Sequence, residues 1–259
     1  MPTILRTSAA LVCAILLPAL ASAQGELKIF TGGAMTVPVH EVGAAFQRLT
    51  SVKLVYTTDT TGALTKKLAS GEKADVIVVT GAAIDAMEKA GQVVKGSKVE
   101  LARGMIGVGV RAGAPSPNLS TTETFKAALL KAKTVSYVNP AAGGTSGTYF
   151  EGLLKKLGIA EQMKSKTVYR KQGSEVADAV AKGEAEIGIT FTSELAPNKG
   201  VKVAGLLPAA IQSPTIYAAA LVARAANEPA ARAYLQALEG TEARAAVRRA
   251  GLEPLTDAR

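Results

Sequence analysis

The regular alternation of two kinds of segment constrains the fold of this chain more than any other feature. From Leu27 onward, apolar runs rich in Val and Ile, such as residues 76–80 and 187–191, alternate with segments of helical periodicity. Strands that are apolar throughout are typical of a parallel sheet covered on both faces by helices. The pattern therefore predicts an α/β fold.

A long apolar run in the middle of the chain predicts two lobes. Residues 101–111 are unusually long for one strand and lead into residues 112–120, AGAPSPNLS, which is the segment nearest to a linker. Such an extended segment can leave one sheet and enter another, and the runs at 201–206 and 216–224 would provide the return. We therefore expect a cleft between a discontinuous first lobe and a continuous second lobe, formed by residues 24–105 with 206–259, and by residues 106–205.

The first 23 residues predict a secretory signal peptide. Arg6 is the only charge before Glu26, residues 9–20 are mostly apolar, and Ala21-Ser22-Ala23 provides a small-x-small cleavage site. The apolar stretch is shorter than the roughly 20 residues that a transmembrane helix needs. Cleavage after Ala23 would remove Cys13, the only cysteine, and would leave a periplasmic protein without disulfides or thiol chemistry.

The positive charge of the chain raises the question of a nucleic-acid partner. The sequence has 30 Lys and Arg against 21 Asp and Glu, a formal charge of +9 that falls to +8 if Arg6 is removed. Only 4% of residues are aromatic, which is too few for base-stacking platforms, and the basic residues are scattered rather than clustered. We predict no nucleic-acid partner for an exported chain of this kind.

Four polar loops follow strand runs and lead into helices. Gly, Ser and Thr are common turn and N-cap residues, which would explain any one of these loops. In open α/β sheets, however, ligands bind at the carboxyl ends of the strands, where helix N-termini offer free N–H groups to an anion. Four such loops favour a shared site for a small anion: residues 31–36 (TGGAMT), 57–62 (TTDTTG), 139–148 (NPAAGGTSGT) and 170–174 (RKQGS).

Motifs for catalysis, metals and cofactors are lacking. The sequence has no H-E-x-x-H, G-x-S-x-G, phosphate-loop or dinucleotide fingerprint, and the single histidine, His40, has no second histidine with which to share a metal. We therefore predict neither a metal nor a cofactor. Asp59, Arg170 and Lys171 lie in the polar loops, where each either contacts the ligand or is a solvated charge. Arg103 interrupts apolar neighbours near the predicted crossover.

Several segments resemble the periplasmic molybdate-binding proteins, over essentially the whole mature chain. They are LKIFTGGAMT, TTDTTGALTKKLASGEKADVIVVT, NPAAGGTSGTYFEGLLKKLGI and GEAEIGITFTSEL. The resemblance implies two Rossmann-like lobes joined by crossover strands, which is the type 2 periplasmic-binding-protein fold. It also implies a monomer that delivers an oxyanion to the membrane permease of an ABC transporter, with hydroxyl and backbone N–H groups as the ligand shell.

The resemblance also implies positions for the ligand residues. Carried across by position, the donors of the family fall on Ala34, Thr61, Ser146, Val176 and Phe191. Ala34 and Phe191 replace a serine and a tyrosine and have no side-chain hydroxyl. With their neighbours, and with Arg170 taken from the fourth polar loop, the expected ligand-binding residues are Gly33, Ala34, Met35, Thr60, Thr61, Gly62, Ser146, Gly147, Val176, Phe191 and Arg170.

A second resemblance, to the aconitate isomerase branch of the same superfamily, gives an alternative function. It lies in GGAMT, KADVIVV, KVELARGMIGVGVRAGAP, LGIAEQM and the SEL that follows GEAEIGITFT. Such an enzyme shifts a proton on a tricarboxylate and needs an acid/base group, for which His40, Asp59, Tyr149 and Lys171 are candidates that no spacing distinguishes. The leading hypothesis is a periplasmic solute-binding protein that takes a molybdate-like oxyanion or an organic carboxylate. The proton-shift enzyme is the alternative.

Overall fold

The computed structural model describes residues 25–255, so the predicted signal peptide, including Cys13 and the cleavage site at Ala23, lies outside the described residues. The strands in chain order are β1 (Glu26–Gly32), β2 (Lys53–Asp59), β3 (Val76–Thr80), β4 (Val99–Gly104), β5 (Ile106–Arg111), β6 (Val135–Val138), β7 (Thr167–Arg170), β8 (Ile187–Phe191), β9 (Val201–Leu206), β10 (Thr215–Leu221) and β11 (Glu253–Pro254).

The α-helices alternate with these strands. In chain order they are α1 (Thr36–Thr50), α2 (Thr61–Ala69), α3 (Gly81–Lys89), α4 (Thr122–Lys131), α5 (Thr145–Lys156), α6 (Ala160–Lys164), α7 (Gly173–Ala181), α8 (Thr192–Leu195), α9 (Glu228–Glu239) and α10 (Thr241–Arg249). Short 3₁₀ turns cover Gly33–Met35, Pro140–Ala142 and Ala209–Ile211. Within residues 25–255, every helix is too short or too polar to cross a membrane.

The strands form two sheets, and the predicted α/β fold with two lobes is confirmed. The first sheet has the order β11-β4-β10-β3-β1-β2 and the second the order β7-β6-β8-β5-β9. The apolar strands suggested a parallel sheet, whereas both sheets are mixed. Strands β1, β2 and β3 are parallel, as are β6, β7 and β8, but β10 and β5 run antiparallel to their neighbours. Strands β10 and β5 are antiparallel because each enters its sheet from the other lobe, and the short β11 adds one more antiparallel pair, with β4.

Both faces of the first sheet are covered by helices. Leu27 and Ile29 of β1 are fully buried in the cluster that includes Val39 of α1 and Tyr234 of α9. Phe30 lies on the opposite face of the sheet, where it packs in a second cluster with residues of α2 and α3. This burial on both faces explains why the strands are apolar throughout rather than alternating.

The long run at residues 101–111 is two strands rather than one. The chain passes from β4 in the first sheet to β5 in the second at Met105, and it returns between β9 and β10. The Gln212 side chain joins the two crossing segments, since its amide donates to the Ile106 carbonyl at 2.8 Å and its oxygen accepts from the Ile106 N–H at 3.2 Å. The Tyr149 hydroxyl donates to the Ile211 carbonyl at 2.7 Å, which fixes α5 to the same crossing.

The carboxylate of Asp75 connects three segments of the first lobe. It is 3% exposed and accepts backbone N–H groups from Lys28 at 2.7 Å, Ala226 at 2.6 Å and Asn227 at 3.2 Å. A buried carboxylate requires such donors, since an unpaired one is very costly. The acidic residue of the KADVIV segment thus has a structural role away from the polar loops.

Candidate functional site

A cavity lies between the two lobes where five strand ends meet. The predicted polar loops after β1, β2, β6 and β7 all reach it, and so does the end of β8. The cavity measures about 30 Å³. On the same measure one water needs roughly 10–15 Å³, so the cavity accommodates a group of a few atoms. Its lining residues are Gly32, Gly33, Ala34, Asp59, Thr60, Thr61, Val138, Gly144, Thr145, Ser146, Gln172, Gly173, Phe191, Glu194 and Tyr217.

Two helices of the second lobe begin at this cavity without a side-chain cap. Helix α5 starts after Gly144, which has no side chain, and α7 starts after Gln172, whose side chain accepts no helix N–H. The first intrahelical bonds come from the N–H groups of Thr148 in α5 and Val176 in α7. The preceding N–H groups of each first turn are therefore available to an acceptor placed in the cavity, where the helix dipole also favours negative charge.

The lobes contact each other directly at one edge of the cavity. The Gly62 N–H donates to the Gly143 carbonyl at 3.0 Å, and the Thr60 hydroxyl donates to the Ala142 carbonyl. A Cβ added at Gly62 would lie 2.7 Å from the Gly143 Cα, which is closer than any real contact of this kind. Gly143 itself has φ of +74°, a left-handed conformation that glycine adopts at little cost. The two glycines therefore permit the backbones of the lobes to approach this closely.

A chain of hydrogen bonds runs from the cavity wall to a carboxyl group. The hydroxyls of Ser146 and Thr190 are 3.2 Å apart, and Thr190 donates to Glu194 Oε2. Ser146 is 2% exposed and Thr190 fully buried. Because Thr190 has one proton and gives it to Glu194, Ser146 must donate to Thr190 in this arrangement.

Glu194 lies at the junction of the two lobes. A Cβ added at Gly33 would lie 2.5 Å from Glu194 Oε1, and one added at Gly173 would overlap the carboxyl carbon, so the carboxyl fits between two positions that lack side chains. Glu194 lines the cavity and is accessible only in part. Burial raises the pKa of Glu194 to about 7, against the opposing effects of hydrogen bonds from Thr190 and the Phe191 backbone. The group is therefore able to hold or release a proton near neutral pH.

Tyr217 brings a second ionisable group to the same cavity from the first lobe. Its ring is 2% exposed and packs edge-on against Phe191, with ring centroids 5.5 Å apart. Burial, and then the charge of nearby Glu194, raise the pKa of Tyr217 well above its usual value, so the hydroxyl remains a proton donor. Within residues 25–255 no protein group hydrogen-bonds this hydroxyl, although Tyr217 lines the cavity.

The cations nearest to the site lie outside the inner cavity. Among the described residues, those lining the inner cavity include no Lys, Arg or His. A wider cavity of about 610 Å³ adjoins it and shares Asp59. The wider cavity is lined by Lys66, Arg170 and Lys171 as well as by Glu175. The site thus combines an inner pocket that has the carboxyls of Asp59 and Glu194 but no cation with a mouth of mixed charge.

This arrangement of a ligand-sized cavity between two α/β lobes agrees with the comparison to protein families. Residues 27–253 match the model of a family described as bacterial extracellular solute-binding protein. The chain belongs to this family. As a member, it is a solute-binding protein of two lobes, and the cavity between them is the candidate binding site.

Two relatives of this solute-binding protein are named for different functions. A protein named aconitate isomerase from Pseudomonas sp. is 34% identical over 237 residues, which cover 88% of each chain. The molybdate-binding protein ModA of Rhodobacter capsulatus is 26% identical over 254 residues, which cover 96% of this chain and 97% of the relative. The periplasmic molybdate-binding protein of Azotobacter vinelandii has the same fold, with a TM-score of 0.73 at 19% identity and coverage of 89% and 100%.

The structure brings six of the expected ligand-binding residues together around the inner cavity, namely Gly33, Ala34, Thr60, Thr61, Ser146 and Phe191. The other five lie next to it or behind it. Met35 is 1% exposed in the core, and Val176 is fully buried with its N–H bonded to the Gln172 carbonyl. Gly62 contacts Gly143, Gly147 packs on the Val138 backbone, and Arg170 lines the wider cavity.

The other charged or ionisable candidates lie in different places. Asp59 lines both cavities, and Lys171 lines the wider one. His40 is exposed on α1 and stacks on Tyr56, with ring centroids 4.0 Å apart. Tyr149 is occupied by its bond to the Ile211 carbonyl, and Arg103 pairs with Glu253 at 3.0 Å.

Glu194 and Tyr217 were not among the expected site residues, although both line the cavity. A signal for Glu194 existed, because it is the acidic residue of the SEL segment that follows β8 directly. Tyr217 gave no such signal, since it lies within an apolar strand and its neighbourhood depends on how β10 crosses between the lobes.

Proposed function

We propose that this protein is an exported, periplasmic solute-binding protein that holds a small anion in the inner cavity and delivers it to an ABC-type permease. The observation that carries this proposal is a pocket between two lobes lined by neutral donors: two uncapped helix starts and the hydroxyls of Thr61 and Tyr217. Neutral donors bind an anion without a counter-cation when several converge on it. The sequence of the first 23 residues supports export.

The size of the two cavities favours particular anions. The inner cavity of about 30 Å³ suits a compact oxyanion or one carboxylate group of a larger acid. A di- or tricarboxylate would place its remaining carboxylates in the wider cavity, close to Lys66, Arg170 and Lys171. Tyr217 would supply the hydroxyl that Phe191 lacks in comparison with the molybdate-binding relatives.

A thermal-shift panel of the mature protein with molybdate, tungstate, sulfate, citrate and trans-aconitate tests this proposal. A ligand at about 100 times its Kd stabilises a protein by about 2.7 kcal/mol, which is readily measured. We expect a large shift with one chemical class of anion and none with chloride. Equal melting temperatures for all the anions at millimolar concentration would reject the proposal.

A second candidate function is a proton shift on a tricarboxylate such as aconitate. Glu194 favours it, because a carboxyl with a pKa of about 7 in a ligand cavity can act as a general acid or base. The relative that is 34% identical and is named aconitate isomerase also favours it. Incubating the protein with trans-aconitate and following the cis/trans ratio by NMR decides between the two functions. Isomer exchange would reject a purely binding role, and a constant ratio would reject the enzyme.

Replacing Thr61 by valine is expected to weaken anion binding by about tenfold, because one donor of the shell is lost. Thr61 is the first residue of α2 and lines the cavity. Thr122→Val is the matched control, since Thr122 is also the first residue of a helix and also follows a threonine N-cap, but lies on α4 away from both cavities. Titration calorimetry with the most stabilising anion of the panel measures both variants. An unchanged affinity in Thr61→Val would remove this residue from the proposed ligand shell.

A further inference from the structure

We propose that the site takes up one proton, held by Glu194, each time it binds a fully ionised anion. The inference rests on the proposed anion binding and adds that the pH of the compartment regulates it. An ionised Glu194 would face the bound anion across the same small cavity, in the absence of a cation among the described lining residues. Two negative charges within so small a cavity repel each other strongly, because little water screens them. A protonated Glu194 removes the repulsion and adds a donor.

The contacts of Glu194 restrict how the carboxyl could avoid the ligand. It is enclosed between the backbones of Gly33 and Gly173, one from each lobe, and it accepts a hydrogen bond from the Thr190 hydroxyl. Gly173 opens α7, one of the two uncapped helices that would hold the anion. Closure of the lobes therefore brings the carboxyl, the helix start and the anion into one space.

The other titratable groups on the elements around α8 do not replace this role. Helix α7 has Glu175, which accepts from the Lys171 N–H, and Asp178, which accepts from Asn198. Strands β5 and β9 have Arg111 and Lys202, and the Lys202 ammonium donates to the Ala114 carbonyl. Strand β8 and the turn Gly33–Met35 have no titratable side chain.

Two further groups face Glu194 across the cavity itself. Tyr217 of β10 stays protonated, because burial and the charge of Glu194 both raise its pKa. Asp59 of β2 accepts from the Thr60 N–H at 2.8 Å and lies 3.8 Å from the Lys67 ammonium. Asp59 therefore has its own counter-cation and Glu194 does not. This contrast makes Glu194 the group that takes the proton.

The hydrogen-bond chain extends the effect of protonation to the ligand shell. While Glu194 is ionised, Thr190 donates to it and Ser146 donates to Thr190, so the Ser146 proton is directed away from the cavity. A protonated Glu194 no longer requires the Thr190 proton. Ser146, which lines the cavity, is then able to turn its hydroxyl to the anion. Burial, which raises the pKa of Glu194 to about 7, allows this change near neutral pH.

Titration calorimetry with molybdate, sulfate and trans-aconitate between about pH 6 and pH 9 tests the proposal, since these anions carry no proton above neutral pH. For each anion that binds, we expect the affinity of the wild-type protein to fall by about tenfold per pH unit above about pH 7.5. Buffers of different ionisation enthalpy should report one proton taken up per anion at about pH 8. Glu194→Gln should bind with no pH dependence and no proton uptake. Glu161→Gln, an exposed charge change on α6, should behave as the wild type.

Urea unfolding without ligand tests the proposal independently of which anion binds. The pKa of Glu194 is raised above its unfolded value of 4.5, so its contribution to stability is present at low pH and lost as the pH rises through about 7. The urea midpoint of the wild type should therefore fall, relative to that of Glu194→Gln, between about pH 5 and pH 8.

The possible results separate two failures. A wild-type affinity that is constant with pH, or an equal slope in Glu194→Gln, overturns the proton uptake while leaving anion binding intact. Parallel urea midpoints in the two proteins overturn it as well. If no anion of the thermal-shift panel binds at any pH, the proposed function fails and the proton uptake fails with it.

Discussion

Replacing Gly62 by alanine is expected to weaken anion binding by between about 10-fold and 100-fold, although the substitution touches no ligand atom. The added methyl group would lie 2.7 Å from the Gly143 Cα and 3.1 Å from the Gly143 carbonyl oxygen. Backbone atoms cannot turn away as a long side chain does, so the lobes must separate. Separation breaks the Gly62–Gly143 hydrogen bond and the Thr60–Ala142 hydrogen bond, and it moves the donors of the two lobes apart.

The ligand-free protein should lose at most what the two broken hydrogen bonds contribute, about 1 kcal/mol each, because each lobe keeps its own packing. Gly62 is the second residue of α2, and the clash exists only across the cleft. Calorimetry for affinity and thermal unfolding for stability measure the two effects separately. Gly152→Ala adds the same methyl group to a helix with no atom within 4 Å of it, and it should leave affinity unchanged. Wild-type affinity in Gly62→Ala would mean that the ligand is held without this closure.

The location of the site could be predicted because it follows from topology. Loops after β1, β2, β6 and β7 had to share one edge of their sheets once the strands were recognised as parallel neighbours. Thr61 and Ser146 were assigned from the resemblance to the molybdate-binding proteins, and each lies at the start of a helix that follows such a strand. Periodicity and helix-start residues locate the loops, but they do not single out these two residues within them.

The chemistry of the site could not be predicted in this way, because it depends on contacts between the lobes. Glu194 lies on a helix of four residues, and only the folded chain places its carboxyl between Gly33 and Gly173. Arg170 was expected at the ligand because of its loop. The structure pairs it with Glu184, a partner 14 residues away, and places it at the mouth of the cleft. Long-range pairing of charges leaves no periodic trace in a sequence.

Gly147 illustrates how a residue can belong to a binding loop for a reason of packing. It was expected at the ligand, and it is the third residue of α5, next to Ser146. In the structure a Cβ added at Gly147 would lie 1.8 Å from the Val138 carbonyl oxygen and 2.7 Å from the Val138 carbonyl carbon. The glycine therefore lets α5 approach the end of β6, and this approach sets the position of the uncapped helix start at the cavity.

Replacing Gly147 by alanine should accordingly destabilise the fold by about 3 kcal/mol, the upper range for an overpacked core, and lower the melting temperature by about 6 to 12 °C. The carbonyl oxygen that it would strike belongs to a buried strand, so the helix must move. Gly152→Ala is the matched control, because it lies on the same helix with open space around it and should raise stability slightly. Urea unfolding of the two variants measures both effects. If Gly147→Ala lowers the free energy of unfolding and Gly152→Ala raises it, the loss is due to the close approach of α5 to β6. Stabilisation by both changes would contradict this packing role of Gly147.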